Sequence, residues 1–316
     1  MSLNSDILIT GGTGLVGSAC TGGIRLSNSG IGGDLRDPVR VDELFDIFKP
    51  KRVIHCAARV GGVGGNSNFK GEYFHDNILI NTNVIHYAHV HGVERLVAFL
   101  STCVFPDDIE YPLTPEKVHL GEPHSSNYPY AYAKRMAEVQ IRAYREQYGR
   151  EYVSVIPTNV FGPHDNFDIH NGHVLPSLIH KCLIAKETNS EFTVWGTGKP
   201  LREFIYSKDL GKLTDWVLDH YSDQEPLILS TSEEVSIKDV VGLIVDKMKF
   251  TGKVVWDNSK PDGQYRKPSD NSKIKELLPD FKFTPLDKAI EETVEWFMDN
   301  YPANTRIGKS CPYSVH

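Results

Sequence analysis

The chain has 316 residues, of which 40% are hydrophobic and 24% charged, with a formal net charge of -7. That length and apolar content build one large α/β domain or two modest ones, without disulfides or metal to hold the core together. The acidic balance excludes general nucleic-acid binding, so an anionic ligand needs a local cluster of Arg and Lys.

Residues 6–10 are a short apolar run that stops at Gly11. Gly11, Gly12, Gly14 and Gly17 follow at once, and they hold both the GxGxxG and the wider GxxGxxG spacing. Glycines placed there let the backbone turn tightly and approach a pyrophosphate at a helix N-terminus, so the motif reads as a dinucleotide loop. Alone it is weak; between a strand and a helical start it gains weight. Residues 18–33 depart from the pattern. A Rossmann unit carries a ribose-reading residue about 20 positions on, at the end of a second strand. Here the segment is short, glycine-rich and without a recognisable strand; either that strand is missing or residues are absent. Arg25 is its only basic residue. The choice between NAD and NADP is therefore not readable from it. Asp34 and Leu35 resemble the pair that precedes the next helix and meets the adenine ring.

Beyond this point apolar runs at 52–58, 96–101 and 152–157 alternate with helical patterns at 39–48, 74–91 and 130–148. Short β-rich runs without alternation suit strands buried on both faces, and strand–helix alternation predicts an α/β fold, a Rossmann-type doubly wound parallel sheet. After about residue 165 the chain is richer in loops and aromatics, with helical stretches at 176–185, 207–220, 236–249 and 285–300. We expect a dinucleotide-binding domain over 1–165, a smaller C-terminal α/β region, mainly for substrate binding, over 166–302, and a mobile tail over 303–316.

Cys20, Cys56, Cys103, Cys182 and Cys311 are odd in number and contain no CxxC pair, which reads as thiols in a cytoplasmic protein. No HExxH pattern, signal-type segment or 18-residue apolar stretch occurs, so neither a metal site nor a membrane span is expected.

Tyr130 and Lys134 have YxxxK spacing and share a helix face. An ammonium beside a phenol is expected to lower the phenol's pKa and make it a usable acid or base. Chance YxxxK pairs are common. Ser101, at the end of a strand where α/β folds place ligands, makes this one a candidate site. Tyr132 has no lysine four residues on.

Three further segments complete the pattern. Ser101-Thr-Cys103, the run Pro157-Thr-Asn-Val-Phe-Gly-Pro-His-Asp-Asn-Phe167, and Gly172-His-Val-Leu-Pro176 with Val194-Trp-Gly-Thr-Gly198 stand beside YxxxK. Together they resemble the GDP-L-fucose synthase family of extended short-chain dehydrogenases/reductases, over about residues 6 to 300. The resemblance breaks down at 18–33 and in the tail.

It implies NADPH as cofactor and a GDP-4-keto sugar that is epimerised at C3 and C5 and then reduced at C4. It implies Cys103 and His173 as the epimerisation acid and base, with Ser101, Tyr130 and Lys134 serving the reduction. Cofactor contacts are implied for Gly11, Gly14, Leu15, Val16, Gly17, Asp34, Leu35, Ala57, Ala58, Tyr130, Lys134, Asn159 and His173. Lys181, Trp195, Arg202 and Lys267 are implied for the GDP moiety. A homodimer follows by analogy only. The competing readings are another nucleotide-sugar epimerase or dehydratase, and a catalytically silent NADP-binding sensor.

Overall fold

The computed structural model describes residues 5–62, 68–260, 262–303 and 305–307. Its centre is a parallel six-stranded sheet in the order β2-β1-β3-β4-β5-β9. The strands are β1 (Ile7–Thr10), β2 (Ile24–Leu26), β3 (Arg52–His55), β4 (Arg95–Phe99), β5 (Glu151–Pro157) and β9 (Leu227–Leu229). Successive side chains of a strand point to opposite faces. Leu8, Val53 and Leu96 therefore pack on one face with α1 (Pro38–Phe48), α2 (Lys70–Val90) and α3 (Tyr128–Tyr148). Ile9, Ile54 and Val97 pack on the other with Leu210, Leu213 and Val217 of α5 (Ser207–His220). Burial on both faces is why these strands read as unbroken apolar runs.

The segment 18–33 does hold the second strand. Ile24, Arg25 and Leu26 pair in parallel with Leu8, Ile9 and Thr10. Three residues beside Gly22 and Gly23 are too few to show a period, which hid the strand in the sequence. The helix between β1 and β2 is what the fold lacks. One turn remains, closed by Ser18 N–H to Gly14 O at 2.9 Å and Ala19 N–H to Val16 O at 3.0 Å. Arg25 caps it by donating to the carbonyls of Gly17, Ser18 and Cys20 at 3.5, 3.4 and 2.7 Å. The far end is tied to α5, where Asp215 accepts from Thr21 N–H at 3.0 Å and Thr21 Oγ1 at 2.7 Å.

A second core, including Phe161, Ile179, Phe192, Phe204, Val240 and Phe297, lies among α4 (Val174–Glu187), α6 (Ile237–Lys247) and α8 (Leu286–Asn300). Its small sheets are β10-β8-β6 and β11-β7, from β6 (Asn159–Phe161), β7 (Phe192–Trp195), β8 (Leu201–Tyr206), β10 (Glu234–Ser236) and β11 (Val254–Asp257). From the C-terminal part of the chain, α5, β9 and Ile274 of α7 (Ser272–Leu277) pack into the parallel sheet's core. Part of the expected tail is anchored: Phe167 N–H donates to Arg306 O at 2.8 Å, and Ile307 packs on the second core. Residues 308–316, with Cys311, lie outside the described residues.

Candidate active site

The sheet changes direction between β1 and β3, and ligands of open α/β sheets bind outside the carboxyl ends of strands at such a point. Gly11 ends β1 at φ +66°, where a Cβ would sit 2.9 Å from Ala57 N. At Gly17 a Cβ would lie 2.5 Å from Gly11 O. At Gly14 the nearest atom would be Gly11 O at 3.3 Å, which leaves that side of the turn open to a ligand. Leu15 and Val16 continue the turn, so their N–H groups stand in its first positions. These residues fit a dinucleotide pyrophosphate, with one helical turn behind it instead of a full helix dipole.

Below the loop, Thr10 Oγ1 meets His55 Nδ1 at 2.8 Å and His55 Nε2 meets Asn81 Oδ1 at 3.0 Å. Asn81 Nδ2 then donates to Ala133 O on α3 at 3.2 Å. This buried chain ties the cofactor loop to the helix that carries Tyr130 and Lys134. Asp34 is held by Arg36, whose side chain also reaches Asp76 at 2.9 Å. Leu35 is buried, and its carbonyl accepts from Asn83 at 3.0 Å. Ala58 follows Ala57 in the loop after β3, and Asn159 donates to Glu203 O at 2.8 Å.

Ser101 stands two residues past the end of β4, not at its last position, and caps a 3-10 turn over Thr102–Val104, with its Oγ accepting from Cys103 N–H at 3.4 Å. Lys134 lies on α3 at 1% exposure, its Nζ 5.8 Å from the Tyr130 ring centre. The lysine does not lower the phenol's pKa as expected. Burial pushes Tyr130 well up, with Cys103 and Tyr73 adding to the effect, and the ammonium is too far off to reverse it. Burial also pulls Lys134 down to about 8 and pushes the Cys103 thiol up. Tyr130 is therefore a neutral phenol and Lys134 still a cation at neutral pH.

His173 is the N-cap residue of α4, makes no side-chain cap bond, and has 49% of its side chain exposed. Its loop is tightly wound: Gly172 N–H donates to Asp168 O at 2.8 Å, and a Cβ at Gly172 would lie 2.4 Å from Asn166 O. Gly62 N–H donates to Asn171 O at 2.8 Å, which ties this loop to the one after β3. Asp165, which no spacing in the 157–167 run singles out, has Oδ1 4.0 Å from His173 Nδ1.

Lys181 Nζ stands 4.2 Å over the exposed Trp195 ring. Arg202, on β8, donates to Leu201 O at 2.7 Å, and Lys267 and Arg202 lie close enough for their charges to interact. Lys267 also faces Cys103. Burial is the first cause lowering the pKa of Lys134, Lys181, Arg202 and Lys267 alike. A chain of net charge -7 thus spends desolvation energy on burying these four cations. Incoming anions would recover that cost. Glu203, buried on β8 beside Arg202, accepts from Ser269 N–H at 3.0 Å and Ser230 Oγ at 2.8 Å. Among the described residues no group of His, Cys, Asp or Glu side chains could hold a metal, and no helix is long and apolar enough to cross a membrane.

The model of the NAD dependent epimerase/dehydratase family matches residues 7–229. The GDP-L-fucose synthase of Dictyostelium discoideum is 47% identical over 306 residues, covering 93% of this chain and 96% of that protein. A probable GDP-L-fucose synthase of Drosophila melanogaster is 44% identical, covering 93% and 98%. The crystal structure of a GDP-L-fucose synthetase from Naegleria fowleri bound to NADP superposes with a TM-score of 0.91 at 46% identity, covering 97% of this chain and 96% of that one.

Proposed function

The chain belongs to the NAD dependent epimerase/dehydratase family and, within it, to the GDP-L-fucose synthases, and from that premise we propose that it converts GDP-4-keto-6-deoxy-D-mannose to GDP-L-fucose by 3,5-epimerisation and NADPH-dependent reduction. The observation that carries this reading is the juxtaposition of Ser101, Cys103, Tyr130 and Lys134, with Ser101 Oγ accepting from Cys103 N–H, Lys134 Nζ 5.8 Å from the Tyr130 ring centre, and Lys267, itself beside Arg202, facing Cys103. It suits a doubly phosphorylated sugar beside a phosphorylated cofactor.

A 4-keto group acidifies the protons on C3 and C5. Cys103 and His173 are the pair that removes each proton and returns one from the other face. When bound, NADPH supplies the hydride for C4. Ser101 hydrogen-bonds the keto oxygen, and Tyr130 gives its phenolic proton to O4 as charge develops there. The raised pKa of Tyr130 suits a donor that is fully protonated at rest. Lys134 holds the ribose next to the nicotinamide. Lys181, Arg202 and Lys267 take the GDP diphosphate, with Arg offering a fork of donors and Lys a point charge. Trp195 covers the nucleotide.

The protein acts as a cytoplasmic homodimer in this reading. Its four described cysteines are thiols, which a reducing compartment maintains. Phe74, Val90, Tyr128, Met136 and Tyr148 expose apolar surface along α2 and α3, as a paired-helix interface requires.

The test is NADPH oxidation with GDP-4-keto-6-deoxy-D-mannose, followed by identification of the product. GDP-L-fucose is expected. Oxidation without inversion at C3 and C5, or no oxidation, overturns the reading. In deuterium oxide the enzyme should place deuterium at C3 and C5, and Cys103→Ser and His173→Gln should each slow exchange at one or both carbons.

A further inference from the structure

Asp165 is 3% exposed, and its Oδ2 has no hydrogen-bond partner among the described residues. Its Oδ1 accepts only locally, from Asn166 N–H at 2.7 Å, and lies 4.0 Å from His173 Nδ1. Leaving a buried carboxylate oxygen unpaired costs more than a typical hydrogen bond is worth.

We propose that Asp165 is a positioning residue for epimerisation: its carboxylate accepts the Nδ1–H of His173 when substrate binds, and this leaves Nε2 as the nitrogen that faces the sugar. The inference rests on the reading of His173 as one of the epimerisation pair.

Three observations support it. First, the two groups stand 4.0 Å apart, and such hydrogen bonds are often long before substrate binds. His173 is half-exposed and makes no side-chain cap bond. Second, the backbone between the two residues is fixed. Asp168 accepts from His170 N–H at 2.7 Å, Ser177 Oγ donates to Asp168 O at 2.9 Å, and His180 Nδ1 meets Phe167 O at 2.7 Å. Third, His173 sits at the start of α4, at the positive end of the helix dipole. A histidine that cycles through the charged state there needs a counter-charge. Asp165 supplies it, at the cost of a burial that raises its own pKa to about 6. The other charged group facing Asp165 is Arg306, whose side chain also donates to His164 O.

The experiment uses Asp165→Asn, which keeps the shape and can still accept from Asn166 N–H, alongside the parent and His173→Gln. Histidine-selective 15N labelling reports the His173 ring tautomer by NMR. Solvent deuterium at C3 and C5 reports epimerisation, and NADPH titration reports folding. The parent, saturated with GDP-L-fucose and NADP, should hold His173 as the Nδ1–H tautomer. Asp165→Asn should bind NADPH like the parent, shift the ring toward Nε2–H, and slow exchange roughly 10- to 100-fold, with kcat falling more than KM rises. A parent in the Nε2–H tautomer overturns the proposal even if the variant does not fold. So does exchange at the parent rate in Asp165→Asn while His173→Gln is slow. If His173→Gln itself exchanges at the parent rate, the reading of the acid–base pair fails instead.

Discussion

Gly211 on α5 lies so close to Ala19 that a Cβ at Gly211 would stand 2.2 Å from the Ala19 carbonyl oxygen. The one-turn segment after the glycine loop is seated on α5 at this contact and at the Thr21–Asp215 hydrogen bonds. In an unconstrained helix interior Gly→Ala would stabilise by about 1 kcal/mol. Gly211→Ala should instead destabilise by about 1–3 kcal/mol, because backbone must move to admit the methyl group. NADPH should also bind more weakly, since the displaced segment continues into the glycine loop. Urea midpoints and NADPH titrations check this, and a variant as stable as the parent would show that the contact can relax freely.

Tyr130→Phe removes the proton donor and keeps the ring. Turnover should fall by about 10²-fold or more, with NADPH binding largely kept. Near-normal NADPH oxidation by this variant would take Tyr130 out of the reduction.

The desolvated cations should appear in KM more than in kcat. Arg202→Ala should raise KM for the GDP-sugar roughly 10- to 100-fold, the worth of a charge-assisted hydrogen bond. Lys181→Met should act in the same direction, and both variants should bind NADPH unchanged. An unaltered KM in Arg202→Ala would place the diphosphate elsewhere.

His55 gives the fold an acid-sensitive point. Burial, helped by the charge of Lys134, lowers its pKa from 6.5 to about 3. Between those values the unfolded chain takes up a proton that the folded chain refuses. This contribution is therefore intact above pH 6.5 and is lost progressively as pH falls toward 3. At pH 5 the loss is about 2 kcal/mol. In urea titrations across this window, His55→Gln should show a shallower fall of stability with acid than the parent, whatever its stability at pH 7. Equal slopes would mean that His55 does not govern it.

NADPH should be preferred over NADH even though the connection that usually precedes the ribose-reading strand is cut to one turn. The comparison is kcat/KM with each cofactor. Equal values would indicate that discrimination depends on the part of the unit that this chain lacks.

Much of this protein was legible in the sequence because its signals are local. The glycine spacing after β1, the YxxxK pair one helical turn apart and the apolar runs of β1, β3, β4 and β5 each lie within a few residues, where backbone geometry alone sets what faces what. Helix α5 was bounded correctly from its pattern for the same reason. Three things were settled only by tertiary structure. β2 exists because its three residues find β1, not because they carry a period. Tyr130 is pushed up, not down, because the protein around it removes water and holds Lys134 too far away to compensate, and spacing along a helix reports neither. Asp165 faces His173 across a wound loop, and His55 joins Thr10 to Asn81, through contacts between residues that the chain brings together only by folding.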